Sequence, residues 1–163
     1  KEKAAKEKAA KEKAAKEKAA KEKVAKEIKD KKLTWHTDVK KAVDISLNSG
    51  KPLFFFFTGS DWCGWCIRLQ KAVFFKSEFK KWASKSVVLV ELDFPRRSKL
   101  PEDISKQNRE LAQMFGVRGY PTVWFVSPVI ESGKVTFNKL GSQGASPLEV
   151  NGWIGGANKI LTQ

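Results

Sequence analysis

Histidine, cysteine and methionine are scarce in this sequence, whose 163 residues include one His, two Cys and one Met. A structural zinc site needs four Cys or His ligands, and this chain offers only three, so a zinc clip is poorly supported. No stretch approaches the roughly 18 consecutive apolar residues of a membrane-spanning helix, so no such helix is predicted. The scarcity of cysteine leaves one question open, which is what the single Cys pair does.

Charge of one sign is in excess and is distributed unevenly. The chain has 32 Lys and Arg against 18 Asp and Glu, a net charge of +14. Residues 1–32 hold 14 lysines against seven acidic residues, so this tail carries +7, and the other 131 residues carry the remaining +7. The change of composition predicts a charged extension at 1–32 and a globular domain at 33–163, which holds all six Trp and all eleven Phe.

The tail repeats the pentapeptide KEKAA four times and then varies it. Its residues are strong helix formers, and each Glu of the clean repeats has a Lys four residues later, which favours a helix. A five-residue step carries the Ala pairs around the helix, so no apolar stripe is predicted. We interpret the tail as a solvated helical spacer or solubiliser, with a basic arm for anionic lipid, polymer or nucleic acid and an engineered leader as alternatives. Nucleic acid is not the expected partner, because no aromatic residue precedes Trp35 to stack on a base.

Residues 33–163 predict a helix, a strand, a helix, a strand, a helix, two strands and a final helix. The first helix is expected to begin near Thr37 or Asp38 and to end at Gly50. Five consecutive large apolar residues, Leu53 to Phe57, predict a central strand that is buried on both faces, as parallel and mixed sheets require. The segments "SVVLVELDF", "TVWFVS" and "KVTFNKL" predict the other strands, and the last two are joined by a turn at 131–133.

The remaining helices are predicted from apolar residues that recur every three or four positions. After the cysteines, this face consists of positions 65, 69, 72, 75, 79 and 82, with a break near Ser77. The following helix is expected to turn Met114 inward and to end at Gly116. The last helix is expected to start with Ser146 as its N-cap and Pro147 at its first position.

Both cysteines lie in "GSDWCGWC" (59–66), where the buried strand is followed by a helix. A disulfide that closes two intervening residues removes little entropy from the unfolded chain, so a purely structural bridge is poorly supported. At a helix start, side chains three residues apart lie close enough to bond. The free N–H groups and the positive dipole end there favour a thiolate at the exposed first cysteine. The pattern therefore predicts a redox pair in which Cys63 is the reactive thiol.

Two motifs together, "WCGWC" (62–66) after a buried strand and "GVRGYPT" (116–122) before another, make the chain similar to thioredoxin-fold proteins over about residues 33–161. The segments "FFTGSDWC" and "LDFP" resemble in particular the DsbH-like branch of secreted bacterial thioredoxins. The resemblance implies an α/β fold with a central mixed sheet flanked by helices. It also implies that Cys63 attacks a substrate disulfide and that Cys66 resolves the mixed disulfide. Gly64 and Trp65 would then tune the pair, and Trp62 would flank the nucleophile on the substrate side.

The same resemblance implies that Pro121 is the cis-proline that faces the cysteines in this family. The backbone of Tyr120 would then be free to pair with an extended substrate strand. An ordinary trans turn is the alternative interpretation of this proline. Extra chain length relative to the smallest thioredoxins is expected in "PRRSKLPEDISKQ", where a solvated basic loop is predicted at Arg96, Arg97 and Lys99.

One family feature is missing from the sequence. Thioredoxins typically keep a buried Asp about six positions before the first Cys, and this place is taken by Phe57, or by Phe56 if the turn holds an extra residue. Cys66 must still lose its proton in an apolar site, where desolvation raises the pKa of a thiol. Glu91, on the strand where the family commonly carries a buried Lys, is expected to act as the missing base. The alternative is that Glu91 points to the edge of the sheet or pairs with a surface Lys.

These observations predict a thiol–disulfide oxidoreductase that reduces or isomerises protein or peptide disulfides without a tightly bound cofactor. The Gly64–Trp65 dipeptide has neither a charge nor a His to push the thiolate pKa very low, which favours a reductase or isomerase over a strong oxidant. We expect a monomer, and a redox partner that recycles the Cys pair. A periplasmic or secreted location and a removed signal peptide are expected from the resemblance alone. The rival interpretation is a redox-silent thioredoxin-like module whose groove at Pro121 holds a partner chain.

Overall fold

The computed structural model describes residues 33–163, so the helix predicted for residues 1–32 lies outside the described residues. The elements follow the predicted order of helices and strands. They are α1 (Val39–Ser49), β1 (Leu53–Thr58), α2 (Gly64–Leu69), a π-helical turn (Gln70–Phe74), α3 (Ser77–Ser86), β2 (Val88–Asp93), α4 (Glu102–Met114), β3 (Thr122–Glu131), β4 (Lys134–Gln143) and α5 (Val150–Leu161).

The four strands form one mixed sheet in the order β2, β1, β3, β4. β1 pairs in parallel with β2 and antiparallel with β3, and β3 and β4 form the predicted antiparallel hairpin. The outer edge of β2 is partly covered, because the backbone N–H of His36 donates to the Leu89 carbonyl (2.9 Å) and the Glu91 N–H donates to the His36 carbonyl (2.8 Å). Because β1 pairs with a strand on each side, it occupies the interior of the sheet, as its uninterrupted apolar run predicts.

Alternation along β1 divides the core into two layers, one on each face of the sheet. Phe55 and Phe57 point to one layer, which they share with buried residues of α1 and with Leu111 and Phe115 at the end of α4. Phe54 and Phe56 point to the opposite layer, which is dominated by aromatic rings. The rings in contact with Phe54 are Trp35, Phe74, Phe79, Trp82, Phe125 and Trp153, with centroids 5.4–6.5 Å apart.

Two of the predicted helix ends are confirmed. The Asp38 side chain accepts a hydrogen bond from the Lys40 N–H (3.1 Å) at the start of α1, and Gly50 ends that helix in the left-handed conformation (φ 75°). Gly116, which follows α4, also has a positive φ of 61°. Glycine carries no Cβ and adopts this conformation without strain, which is why both positions terminate a helix.

The predicted inward face of the helix after the cysteines is partly wrong. Trp65 is 55% exposed and Phe75 is 60% exposed, whereas the side chains that are buried in α2 and the π-helical turn are Cys66, Leu69, Val73 and Phe74. A π-helical turn contains one more residue than an α-helical turn, so the inward face moves by about one position at Phe75, which follows the turn. Trp65 precedes the turn and is exposed because the inward face of α2 carries Cys66 and Leu69. A period of 3.6 residues cannot anticipate this shift. The predicted break near Ser77 is confirmed by the start of α3 at that residue.

Two further expectations are corrected. The last helix begins at Val150 and not at Pro147, because Glu149 is its N-cap and its carboxylate accepts hydrogen bonds from the N–H groups of Asn151 (2.9 Å) and Gly152 (2.6 Å). Met114 is 52% exposed and does not enter the core. The core position at this end of α4 is taken by Leu111 and Phe115, which are buried.

Candidate active site

The two cysteines lie at the junction of β1 and α2. β1 ends at Thr58, a turn over 59–62 follows, and Cys63 is the N-cap of α2. Cys63 and Cys66 are joined by a disulfide with Cα atoms 5.2 Å apart. The Sγ atom of Cys63 also accepts a hydrogen bond from the Cys66 N–H (3.2 Å). The structure therefore represents the oxidised form of the pair.

The two sulfur-bearing residues differ in their access to solvent. Cys63 is 6% exposed, and Cys66 is 1% exposed beneath the first turn of α2. Gly64 and Trp65, the residues between them, are both exposed. Cys63 is therefore the more exposed member of a pair that is largely buried.

The indole of Trp62 is held in place by contacts with Gly59, Phe94 and Tyr120. Its Nε1–H donates to the Phe94 carbonyl (2.7 Å), and its ring meets the edge of the Tyr120 ring at a centroid distance of 5.7 Å. The backbone of Gly59 lies against the same indole, so a Cβ atom added at position 59 would overlap the ring. These contacts restrain the position of the Trp62 side chain next to Cys63.

Hydrogen bonds to two carboxylates connect the end of β2 and the loop after it to the active-site turn. Asp61 accepts hydrogen bonds from the backbone N–H groups of Arg96 (2.9 Å) and Arg97 (2.7 Å). Asp93 accepts from both the N–H and the hydroxyl of Ser60. The hydrogen bond from the Arg96 N–H is the largest cause of the lowered pKa of Asp61. Asp61 therefore stays ionised, and the loop after β2 keeps a defined position next to Trp62.

The peptide bond between Tyr120 and Pro121 is cis, as the resemblance implies. Pro121 is buried and precedes β3, whose first residue, Thr122, pairs with Phe57 near the end of β1. This register brings the proline to the end of the sheet from which the active-site turn leaves. Tyr120 packs on Phe94 as well as on Trp62, and burial raises the pKa of its hydroxyl.

Glu91 lies in β2 directly opposite Phe56 of β1. Neighbouring residues of paired strands point to the same face, so Glu91 shares the face of the aromatic layer with Phe56, and Phe57 points away from it. The missing acid corresponds to position 56 or 57, and of these two positions only Phe56 lies on the same face of the sheet as Glu91. Glu91 is half-buried, and its pKa is raised first by desolvation and second by the charge of Asp93.

Three features of this site are not evident from the sequence. The Arg96 guanidinium lies over the Trp62 ring, 3.8 Å from its centroid, although a solvated loop was expected there. Arg68 covers the Trp65 ring at 4.9 Å. The hydroxyl of Thr58, on the last residue of β1, is buried and has no hydrogen-bond partner. Stacking and burial of this kind depend on loop geometry, and the only hint in the sequence is the proximity of Arg and Trp to the Cys pair.

The part of the chain from residue 33 onward contains neither a cluster of metal ligands nor a membrane-spanning helix. Within it, no three His, Cys, Asp or Glu side chains are grouped so that they could hold a metal ion. None of the helices described above is long and apolar enough to cross a membrane.

The family model of the thioredoxin-like domain matches residues 39–149 of this chain. The Disulfide bond reductase DsbH of Chlamydia pneumoniae is 39% identical over 94 residues, which cover 58% of this chain and 56% of that protein. The Thioredoxin-related protein DsbJ of the same organism is 32% identical over 95 residues, which cover 58% of this chain and 27% of that protein. The matches thus span about half of the first relative and about a quarter of the second.

Solved structures show the same architecture. A structure titled DsbH Oxidoreductase superposes with a TM-score of 0.71 at 31% identity, over 80% of this chain and 85% of the other. The solution structure of a thioredoxin from Thermus thermophilus superposes with a TM-score of 0.57 over 80% of this chain and 88% of the other, and its identity of 17% bears on the fold alone. The mixed sheet flanked by helices, predicted from the resemblance, is confirmed.

Proposed function

Since the chain belongs to the thioredoxin-like domain family, we propose that it is a thiol–disulfide oxidoreductase that acts on protein or peptide disulfides through Cys63 and Cys66. The observation that carries the proposal is the placement of the Cys pair. Cys63 is the N-cap of α2 and is 6% exposed, Cys66 is 1% exposed three residues later, and the cis-proline at 121 lies at the same end of the sheet.

The reaction starts from the reduced pair. The Cys63 thiolate attacks one sulfur of the substrate disulfide, a mixed disulfide forms, and the displaced substrate sulfur leaves as a thiolate that takes up a proton. Cys66 then loses its proton and attacks the Sγ atom of Cys63, which releases the second substrate thiolate. Two electrons have passed to the substrate, and the enzyme holds the Cys63–Cys66 disulfide. A dithiol donor protein must reduce this disulfide before the next turnover.

Substrate contact falls to the residues around Cys63. Trp62 and Trp65 provide ring surface beside the pair, Gly64 leaves the space between them open, and the backbone at Tyr120 and Pro121 pairs with an extended substrate strand. Glu91 accepts the proton of Cys66 during resolution. Support for this base is its half-buried position on the α2 side of the sheet and the raised pKa of its carboxyl group, which brings that pKa closer to the working pH.

The protein acts in the direction of a reductase or isomerase. Its location is the periplasm or another secreted compartment. The dipeptide between the cysteines lacks a charged or His side chain, and the relatives of this chain include a protein named as a disulfide bond reductase. A reduction potential of about −270 mV would agree with a reductase, and one of about −120 mV would identify an oxidant.

Turnover tests the proposal directly. The purified chain should reduce insulin in the presence of dithiothreitol and reactivate scrambled ribonuclease. Cys63→Ser should abolish both activities, and Cys66→Ser should accumulate the mixed disulfide, which is visible in a non-reducing gel. Absence of both activities in the unmodified chain would leave the redox-silent binding module as the better description.

A further inference from the structure

The surface around the Cys pair is rich in arginine. Four exposed arginines lie on the segments that form the site: Arg68 on α2, Arg96 and Arg97 on the loop after β2, and Arg118 shortly before Tyr120. The acidic residues on the same segments are Asp61 and Asp93. With Lys99 on the loop after β2, five positive charges against two negative charges leave an excess of positive charge on these segments.

Within residues 33–163, the carboxylates of this region form no direct ion pair with a guanidinium group, although the charge of Arg97 contributes to the lowered pKa of Asp61. Asp61 receives the backbone N–H groups of Arg96 and Arg97, and Asp93 receives Ser60. Among residues 33–163, the recorded ion pair joins Lys106 to Glu110 at 3.9 Å, away from the site. No residue from 33 onward thus forms an ion pair with the guanidinium group of Arg96, whose N–H donors can face a ligand.

Two of these arginines are fixed over the tryptophans that flank the cysteines. The Cζ atom of Arg96 lies 3.8 Å from the centroid of Trp62, and that of Arg68 lies 4.9 Å from the centroid of Trp65. A guanidinium stacked on a ring face keeps its N–H edge free, and that edge matches the two oxygens of a carboxylate. Because Asp61 fixes the loop and Phe94 fixes the indole, the position of Arg96 is set before any substrate arrives.

We propose that this site selects disulfide substrates in which acidic residues flank the reactive cysteine, with the Arg96 guanidinium over Trp62 receiving a substrate carboxylate. The inference rests on the proposed function and adds a substrate class to it. Arg96 is then a residue that determines specificity, and Arg68 provides a second contact on the far side of the Cys pair.

The size of the preference follows from the exposure of these arginines. One exposed ion pair changes an equilibrium or rate by a small factor, and two such pairs acting together give about fivefold to tenfold between acidic and basic substrates. Solvent-exposed charges are screened by salt, so the preference should fall to about twofold at an ionic strength of about 0.5 M.

The test uses the full chain and three cyclic peptides, each with one disulfide flanked by Asp, by Ser or by Lys. The Asp-to-Lys ratio of the initial reduction rates is measured for the unmodified chain, Arg96→Gln, Arg96→Lys and the control Lys134→Gln, whose charge lies at the turn of the β3–β4 hairpin, at the opposite end of β3 from Pro121. A general loss of activity cancels in this ratio. The rate with the Ser peptide, measured for the same variant, shows whether a change of the ratio comes from the Asp peptide or from the Lys peptide.

Arg96→Gln should lower the ratio about threefold or more, and Lys134→Gln should leave it unchanged. Arg96→Lys keeps the charge but loses the planar guanidinium edge, so it should retain only part of the ratio. An equal ratio in Arg96→Gln and the unmodified chain overturns the inference, because the charge of Arg96 would then have no part in the choice of substrate. An equal fall in Lys134→Gln also overturns it, because the preference would then come from the overall charge of the chain.

A second measurement separates this inference from the proposed function. Peptides with Ser in place of Cys are titrated into the Cys63→Ser/Cys66→Ser double variant with and without Arg96→Gln, and binding is followed by fluorescence anisotropy. Tighter binding of the Asp peptide that depends on Arg96 supports the inference even where no peptide is reduced, an outcome that would contradict only the oxidoreductase activity. Binding without a preference for the Asp peptide contradicts the inference, whatever the turnover.

Discussion

Phe56 shows why the usual base cannot simply be restored at its family position. Its side chain is 1% exposed, and its ring lies 4.9 Å from that of Phe74 and 5.8 Å from that of Trp35. A carboxylate in this place would be surrounded by aromatic rings and would have no charged partner, and an unpaired buried charge is costly. Glu91, which lies opposite on the neighbouring strand, keeps part of its surface in solvent. A base at position 91 is therefore compatible with the aromatic layer.

The first prediction concerns Glu91 in catalysis. Glu91→Gln should slow resolution of the mixed disulfide at pH 7 by tenfold or more, because loss of a general base typically costs about 10² in rate. The defect should shrink as the pH rises and Cys66 ionises without help. Stopped-flow release of a chromogenic thiol, followed from pH 6 to pH 9, measures both effects. An unchanged rate and pH profile would remove Glu91 from the mechanism.

The same substitution should have the opposite effect on stability, which is the second prediction. The pKa of Glu91 is raised in the folded state, so its contribution to folding is fully present below the unfolded pKa and is lost as the pH rises through the folded pKa. Gln carries no charge and does not suffer this loss. Glu91→Gln should therefore raise the melting temperature at neutral pH, and the gain should vanish at about pH 4. A gain that is independent of pH would point to packing and not to the carboxylate charge.

At the scale of the elements, the turn between β1 and α2 depends on Gly59. Gly59→Ala would place a Cβ atom in the Trp62 indole, whose hydrogen bond to the Phe94 carbonyl leaves it little room to move. We expect a loss of about 1–3 kcal/mol in the free energy of unfolding, typical of an overpacked site, together with weaker substrate reduction. Chemical denaturation and the insulin assay measure the two effects.

Gly155→Ala in α5 is the matched control for this third prediction. No atom lies within 4 Å of a Cβ atom added at Gly155, and Ala is a better helix former than Gly by about 0.5–1 kcal/mol. The control should therefore be neutral or stabilising. If both alanine variants are equally stable, the contact between Gly59 and Trp62 does not constrain the turn.

Which features of an element can be predicted from sequence depends on whether their cause is local. The ends of α1 were predictable, because Asp38 and Gly50 act on their own backbone. The outward position of Phe75 was not predictable, because this residue follows the π-helical turn at Gln70–Phe74, and an inserted residue leaves no mark on the apolar pattern. Stacking of Arg96 on Trp62 was equally inaccessible, since it joins two segments more than thirty positions apart.

At the scale of the whole molecule, the mixed sheet could be predicted because β1 is apolar without interruption. A strand of this kind requires a layer on each of its faces, and the helices before and after it supply those layers. The position of the Cys pair followed from the same pattern, since the motif comes directly after β1. The base for Cys66 could only be proposed, because a single sequence does not tell which face of β2 carries Glu91.

The fourth prediction treats the charged tail as separate from the domain. The two core layers are built from residues between Trp35 and Trp153, and the tail sequence has no apolar stripe with which to join them. Deleting residues 1–30 should leave insulin reduction and the melting of the domain nearly unchanged. A loss of more than about 1 kcal/mol in domain stability would contradict this interpretation.

The tryptophans of this domain lie at very different depths, which gives it a built-in optical reference. Trp153 is fully buried in the aromatic layer, whereas Trp65 is 55% exposed next to Cys66. Emission from Trp153 should lie at short wavelength and resist a soluble quencher such as iodide, whereas emission from Trp65 should be quenched readily. Reduction of the disulfide should change the quenchable component and leave the protected one constant. One emission spectrum would then report the redox state and the integrity of the fold in the same sample.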